Sequence, residues 1–99
     1  MKIPAMFSTH FLPKVIDEKE LKRIITTFLK REWPDKDMVH DIKFDGQKGT
    51  FYVQKDKFEL EIDGHKIDFT IYTNSSADPS TLGEKFRATM NILFEKYVS

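Results

Sequence analysis

Polar and apolar residues alternate along residues 58–72, and the alternation is broken only at Asp63-Gly64. A period of two places every second side chain on the same face of a β-strand, so each run predicts a strand with one dry and one wet face. Asp-Gly between two such runs indicates a two-residue hairpin turn. With this turn, the inward residues pair as Phe58–Phe69, Leu60–Ile67 and Ile62–His65. The segment therefore predicts an antiparallel sheet with one apolar face.

Two more strands are predicted upstream, where the alternation resumes at Val39. A loop over residues 45–48 keeps Ile42 on the apolar face of the sheet. A weaker turn at Lys55-Asp56, which lacks glycine, leads into the hairpin. The inward residues expected here are Ile42 and Phe44, and the inward pairs are Ile42–Phe51, Val53–Phe58 and Phe51–Leu60. The result is a four-stranded meander over residues 40–73.

A helix is predicted before the meander, over residues 17–32. Asp17 lies three positions before Glu20, a spacing typical of a helix N-terminal capping box. Pro34 disfavours helical geometry at the residue before it, so the helix should end near Glu32. Its apolar stripe, at the spacing of an amphipathic helix, consists of Leu21, Ile24, Ile25, Phe28 and Leu29.

A second helix is predicted after the meander, over residues 79–97. It begins at Asp78-Pro79 or at Thr81, because proline suits the first helical position and Thr81 forms a capping box with Glu84. Its apolar stripe consists of Leu82, Phe86, Met90, Leu93, Phe94 and Tyr97.

Residues 1–16 have two interpretations. Residues 5–11 are a candidate edge strand, with Pro4 and Pro13 at its ends, and the alternative is an extended arm. The fold class expected is α+β in two layers: a four-stranded antiparallel meander with both helices on one face, in the order (β)-α-β-β-β-β-α. Residues 1–99 form a single domain.

Composition indicates a folded cytoplasmic protein. The chain has 99 residues, of which 39% are hydrophobic and 32% charged, which suits one soluble domain. The 16 basic and 16 acidic residues cancel, whereas a dedicated nucleic-acid binder is usually basic. There is no cysteine, which excludes disulfides and thiolate metal sites. Neither a signal peptide nor a membrane-spanning stretch is expected.

The outward face of the hairpin carries three carboxylates. In the predicted register Glu61 faces Lys66, a favourable pair, whereas Glu59 faces Asp68, and like charges directly opposite destabilise a sheet. Three explanations are open: the register differs locally, Lys57 compensates, or the carboxylates await a basic partner or a cation. A catalytic carboxylate pair is not expected, because an open sheet face has no pocket to tune a pKa.

Exposed apolar side chains suggest protein contacts on two surfaces. Tyr52 and Tyr72 are expected to point outward from the sheet, where tyrosines contribute to protein interfaces, although ordinary cross-strand tyrosines need no partner. Ile92 lies off the apolar stripe of the second helix beside Ala88, as a candidate dimer contact. The candidate protein interface comprises Tyr52, Glu59, Glu61, Asp68, Tyr72, Ala88 and Ile92.

A candidate anion or nucleic-acid contact lies on the outer face of the first helix. It comprises Lys19, Lys22, Arg23 and Lys30. Such a cluster is typical of phosphate-contacting surfaces. A solvated face is the simpler interpretation, because Asp17, Glu18 and Glu20 partly neutralise it.

No catalytic, metal or cofactor motif is found in the sequence. His10, His40 and His65 share no ligand spacing, and His65 is expected at the inward rim beside Ile62 as a structural residue. No glycine-rich phosphate loop or nucleophile motif is present. We therefore expect a protein that is not an enzyme and uses no cofactor.

The function hypothesis is a small protein-interaction module that binds a partner protein or itself. The edge strand and the N-terminal arm are further candidates for strand pairing. One alternative is a small-ligand binder in a gap between sheet and helices, lined by Phe residues and Met90. The other is a weak nucleic-acid binder that uses the first helix.

Overall fold

One layer of the protein is a five-stranded antiparallel sheet. Its strands are β1 (Met6–Phe11), β2 (Val39–Asp45), β3 (Lys48–Val53), β4 (Asp56–Asp63) and β5 (Lys66–Tyr72). Their spatial order is β1-β5-β4-β3-β2. This computed structural model describes residues 4–73 and 78–94. The predicted α+β architecture is confirmed, with five strands in place of four, because β1 pairs with β5 instead of forming an extended arm.

The first helix of the second layer is α1 (Glu18–Glu32). The Asp17 carboxylate accepts a hydrogen bond from the Glu20 N–H at 2.8 Å, which caps the helix where the sequence predicts. At the other end, Trp33 leaves helical geometry and is followed by Pro34. A short 3-10 turn, Lys36–Met38, then leads into β2.

The second helix is α2 (Pro79–Leu93). The Asp78 carboxylate accepts a hydrogen bond from the Ser80 N–H at 3.0 Å and another from the Thr81 hydroxyl at 2.9 Å. Both bonds place the cap at Asp78, so the helix begins at Pro79 and Thr81 lies inside it. Residues 95–97 of the predicted helix lie outside the described residues.

The hairpin between β4 and β5 turns one residue later than its Asp-Gly dipeptide predicts. Asp63 pairs with Lys66, so the turn is Gly64-His65, and Gly64 has a φ of 64°. Glycine at the first turn residue adopts this conformation without a Cβ penalty. Moving the turn by one residue moves each partner by two, so the same side chains stay inward. The inward pairs are Phe58–Ile71, Leu60–Phe69 and Ile62–Ile67.

The hairpin between β3 and β4 is displaced in the opposite direction, because it turns one residue earlier than predicted. Val53 pairs with Asp56, so the turn is Gln54-Lys55 rather than Lys55-Asp56. Gln54 takes a φ of 57°, which costs a residue with a Cβ about 1 kcal/mol. The Gln54 N–H donates to the Met38 carbonyl at 3.1 Å, a contact with the preceding 3-10 turn that the local sequence does not reveal. The inward pairs are Phe51–Phe58 and Gly49–Leu60.

Strand β2 is interrupted by a β-bulge after His40. The bulge shifts the register with β3, and Asp41 within it has a φ of 55°. Ile42 was predicted to pair with Phe51 on the apolar side. The bulge removes this regular pairing and leaves Ile42 47% exposed, but its side chain still lies on the helix side of the sheet, where it lines a groove with Leu29 of α1.

On the other side of the bulge Phe44 pairs with Gly49, as the predicted loop over residues 45–48 requires. Asp45 also pairs with Lys48, so the loop is a two-residue turn at residues 46–47 instead of the four residues predicted.

Phenylalanine rings form the contact between sheet and helices. Phe69 of β5 stacks on Phe86 of α2 with 4.3 Å between ring centroids, and Phe28 of α1 makes edge contacts with both rings. All are fully buried. Gly49 of β3 permits a close approach, because a Cβ at this position would collide with Ile25 of α1. The core therefore lies between the two layers.

Replacing Phe69 with alanine should lower the free energy of unfolding by about 3–5 kcal/mol, because it removes a buried ring and leaves a cavity. Urea unfolding monitored by circular dichroism measures the loss. Ile92→Ala is the matched control, because Ile92 is 63% exposed and its truncation should change stability by less than about 0.5 kcal/mol. A loss below about 1 kcal/mol for Phe69→Ala would contradict this account of the core.

Candidate functional site

The outer face of the sheet carries a row of aromatic and cationic side chains across four strands. His40, Tyr52, Lys57 and Tyr72 are successive cross-strand neighbours. The His40 ring stacks on Tyr52 at 5.5 Å between centroids, and Lys57 Nζ lies 5.6 Å from the Tyr72 ring centroid. Both tyrosines thus lie on the outer face, and each already has a partner within the chain.

Glu59 does not face Asp68, and the predicted conflict between them is wrong. The register shift in the β4–β5 hairpin places Glu59 opposite Thr70. The Glu59 carboxylate lies 3.4 Å from Lys48 Nζ and 3.8 Å from Lys57 Nζ. A different register explains the apparent conflict, and two lysines neutralise this carboxylate.

Glu61, by contrast, faces Asp68 directly, so the predicted Glu61–Lys66 pair is wrong. Asp68 accepts a hydrogen bond from the Thr9 hydroxyl of β1 at 2.8 Å, and Glu61 has Lys48 as its neighbour on β3. Each carboxylate therefore has a polar neighbour on the side away from the other. These neighbours reduce the like-charge repulsion between Glu61 and Asp68.

Strand β1 adds two exposed aromatic side chains that the sequence did not single out. Phe7, Thr9 and Phe11 lie on the outer face, since their partners on β5 are Thr70, Asp68 and Lys66. Phe7 is 59% exposed and Phe11 is 42% exposed. The spacing of four that puts both rings on one strand face was present in the sequence, but only pairing with β5 shows that this face is outward.

Among the described residues, no strand pairs with the outer edge of β1 or of β2, and these two free edges differ. Strand β1 contains no proline, no formally charged residue and no register shift. Strand β2 carries the bulge at Asp41 and the charged side chain of Lys43. Bulges and charges are common protections against strand addition. Of the two edges, β1 is therefore the one open to pairing.

The two candidate residues on α2 lie on the opposite side of the molecule from the outer sheet face. Ile92 is 63% exposed and Ala88 is half-buried. Helix α2 packs on the inward face of the sheet, through Phe86 against Phe69. The candidate protein interface is therefore divided into two separate surfaces.

The candidate anion contact on α1 does not form one uniform cluster. Lys22 pairs with Glu18 at 3.4 Å and lies over the Phe44 ring of β2. Arg23 points the other way, pairing with Glu20 at 3.1 Å and donating to the Leu93 carbonyl at 3.3 Å. Lys19 and Lys30 are exposed. The structure thus divides this basic face between two sides of the helix.

A groove of about 590 Å³ lies between α1 and the bulged strand β2. Its apolar lining consists of Ile25, Leu29, Trp33, Val39, Ile42 and Phe44. Lys30 and Lys36 also line it. Met90, expected in such a gap, is fully buried in the core and does not line the groove. The gap therefore lies at the margin of the sheet and not at its centre.

Other lines of evidence do not identify a function. Within residues 4–73 and 78–94, no three His, Asp or Glu side chains come close enough to hold a metal ion. No helix in this part of the chain is both long and apolar enough to cross a membrane. Comparisons with protein-family models, with curated proteins and with solved structures found no match. Function must therefore be argued from the surfaces themselves.

Two histidines occupy contrasting environments. His10, on the inward side of β1, is buried against Phe86 with 5.2 Å between ring centroids. Burial and the nearby Arg87 guanidinium lower its pKa from 6.5 to about 4, although Asp68 acts in the opposite direction. His65, predicted at the inward rim, is instead exposed in the β4–β5 turn beside Phe11, because the turn moved by one residue.

Acid should destabilise the protein through His10. Between pH 6.5 and about 4 the unfolded chain binds a proton that folded His10 does not, so the stabilisation is complete above pH 6.5 and is lost as the pH falls. From pH 7 to pH 5 the loss should be about 2 kcal/mol. Urea unfolding at both values measures it, and His10→Gln should reduce the difference.

His40→Gln is the matched control. Hydrogen bonds that the exposed His40 ring donates to the Gln54 carbonyl and to the Asp41 carboxylate raise its pKa. The contribution of His40 to stability is therefore present at low pH and is lost as the pH rises through the folded pKa. This variant should therefore keep the loss of stability on the acid side. An unchanged pH difference in His10→Gln would contradict the assignment to His10.

Proposed function

We propose that this chain is a protein-interaction module that associates with a second copy of itself through the free edge of β1. The observation that carries the proposal is the combination, on one edge strand, of an unprotected backbone edge and two exposed phenylalanines, Phe7 and Phe11. An unpaired strand edge is a ready template for another strand. The known cost of such an edge is aggregation, and a closed dimer removes that cost.

The backbone of β1 supports pairing on its free side. The Leu12 N–H donates to the His65 carbonyl of the β4–β5 turn. Because antiparallel pairing alternates, residues 6, 8 and 10 direct their backbone groups toward β5, and residues 7, 9 and 11 direct theirs toward the free edge. Three residues are therefore in position to exchange about six backbone hydrogen bonds with another strand.

A two-fold axis at Thr9 makes this edge complementary to itself. Antiparallel pairing of two β1 strands centred on Thr9 places Phe7 of each copy opposite Phe11 of the other. These rings lie on the same outer face in both copies, so they meet as two symmetric aromatic pairs. Each pair contributes about 0.5–1.5 kcal/mol beyond burial. The chain has no formal net charge, so long-range repulsion between copies is small.

The proposed module is non-catalytic and cytoplasmic, and it does not depend on nucleic acid. The proposed role is non-catalytic, because the sequence contains no nucleophile motif. A cytoplasmic location suits a chain without cysteine. Nucleic acid is a weaker candidate partner than a second copy, because the basic residues of α1 face two directions and two of them are already paired.

Phe7→Lys should weaken self-association by on the order of tenfold or more, because it removes both symmetric aromatic pairs. Sedimentation equilibrium over a range of protein concentrations measures the dimer dissociation constant. Ile92→Lys is the matched control, since it changes an equally exposed apolar residue on the opposite side of the molecule. It should leave the dissociation constant unchanged.

Charged substitutions at positions 7 and 11 test the proposed register between the two β1 strands. The double variant F7E/F11K should associate more tightly than F7K/F11K, because the proposed register sets the two substituted positions opposite each other. A wild-type chain that stays monomeric at its highest soluble concentration would overturn the proposal. So would a dimer that Ile92→Lys disrupts and Phe7→Lys does not, because that result places the contact on α2.

A further inference from the structure

Strand β2 is only partly covered by the helix layer. Helix α1 lies over β3 and α2 lies over β1. Strand β2 is the edge strand next to β3, about one 4.8 Å spacing further out. The groove is the space between α1 and this edge strand.

The groove has the size of a small-molecule site and an apolar interior. Its volume of about 590 Å³ lies within the roughly 300–1,000 Å³ typical of ligand pockets. Trp33 and Phe44 provide aromatic walls, and the bulge leaves Ile42 at the rim. The same bulge argues against an added strand as the occupant, because it interrupts the regular backbone edge that strand pairing needs.

The charged residues that line the groove are both lysines. Lys30 and Lys36 line it, and none of the described lining residues is acidic. Lys22 lies at one end, 5.5 Å from the Phe44 ring centroid. Within residues 4–73 and 78–94, neither Lys30 nor Lys36 forms a salt bridge, unlike Lys48 or Lys85 elsewhere on the surface. An apolar groove with two unpaired cations is complementary to an anion with an apolar body.

We propose that this groove binds a small amphipathic anion, with its apolar part against Trp33, Leu29 and Ile42 and its anionic head group at Lys30 and Lys36. A carboxylate and a phosphate monoester share this chemistry. The site is independent of the β1 edge, which lies at the other margin of the sheet. This groove differs from the gap that the sequence suggested for a small ligand, because Met90 does not line it.

Trp33 gives a direct measurement, because it is the only tryptophan in the chain and it lines the groove. Titration with sodium decanoate should produce a saturable change in its fluorescence, and decyl phosphate should do the same. Neutral 1-decanol should bind more weakly. The double variant Lys30→Gln with Lys36→Gln should weaken decanoate binding by roughly three- to tenfold, as expected for two solvent-exposed ion pairs.

The matched control is Lys43→Gln, which removes one charge from β2 on the outer sheet face, where Lys43 pairs with Thr50. It should leave decanoate affinity unchanged. Trp33 also borders a smaller cavity of about 280 Å³ that Asp56 and Asp78 line. The variant Ile42→Glu distinguishes the two cavities, because Ile42 lines only the larger groove. A carboxylate at this rim should reduce decanoate binding only if the ligand lies in the larger groove.

Three results would overturn the proposal. The first is the absence of a saturable response below the concentration at which decanoate aggregates. The second is equal affinity for decanoate and decanol, or an unchanged affinity in the double lysine variant, because either result removes the anion preference. The third is undiminished binding in Ile42→Glu. All of these substitutions are at exposed positions, and thermal unfolding of each variant verifies that the fold is retained.

Discussion

The apolar face of the sheet must be covered, and the rest of the structure depends on this constraint. Every strand of the meander places its large apolar side chains on one side, and Phe69 there stacks on Phe86 while Phe28 touches both rings. A sheet of this kind cannot exclude water from its inner face alone, so α1 and α2 supply the second layer. The position of each helix follows from that contact.

Both proposed sites lie at the margins of the sheet, and the two margins differ. At one margin, β1 exposes an uninterrupted backbone edge with Phe7 and Phe11 beside it. At the other, the bulge in β2 diverts the strand and leaves an apolar groove beneath α1. One margin therefore suits a strand, and the other suits a small molecule.

The centre of the outer face is less available than its composition suggests. Glu59 lies between two lysines, His40 covers Tyr52, and Lys57 lies over the Tyr72 ring. Exposed pairs of this kind stabilise a fold only slightly, but they satisfy one another. A partner would have to displace these contacts before gaining its own. For this reason the margins, and not the charged centre, carry the proposals.

The sequence by itself determined the two helices, the four strands of the meander, the buried face and the start of the first helix. Period-two alternation tolerates the errors made in two of the turns. The β3–β4 and β4–β5 turns each moved by one residue and their cross-strand partners by two, so Phe58 and Phe69 stayed inward. Helix capping is also a local interaction, because the Asp17 carboxylate accepts its hydrogen bond from the N–H of Glu20, three residues later. Only the tertiary structure decided which charges face each other across the strands, because cross-strand partners depend on where the turn closes. It also decided that β1 joins the sheet and that β2 bulges, because both depend on contacts between segments far apart in the chain.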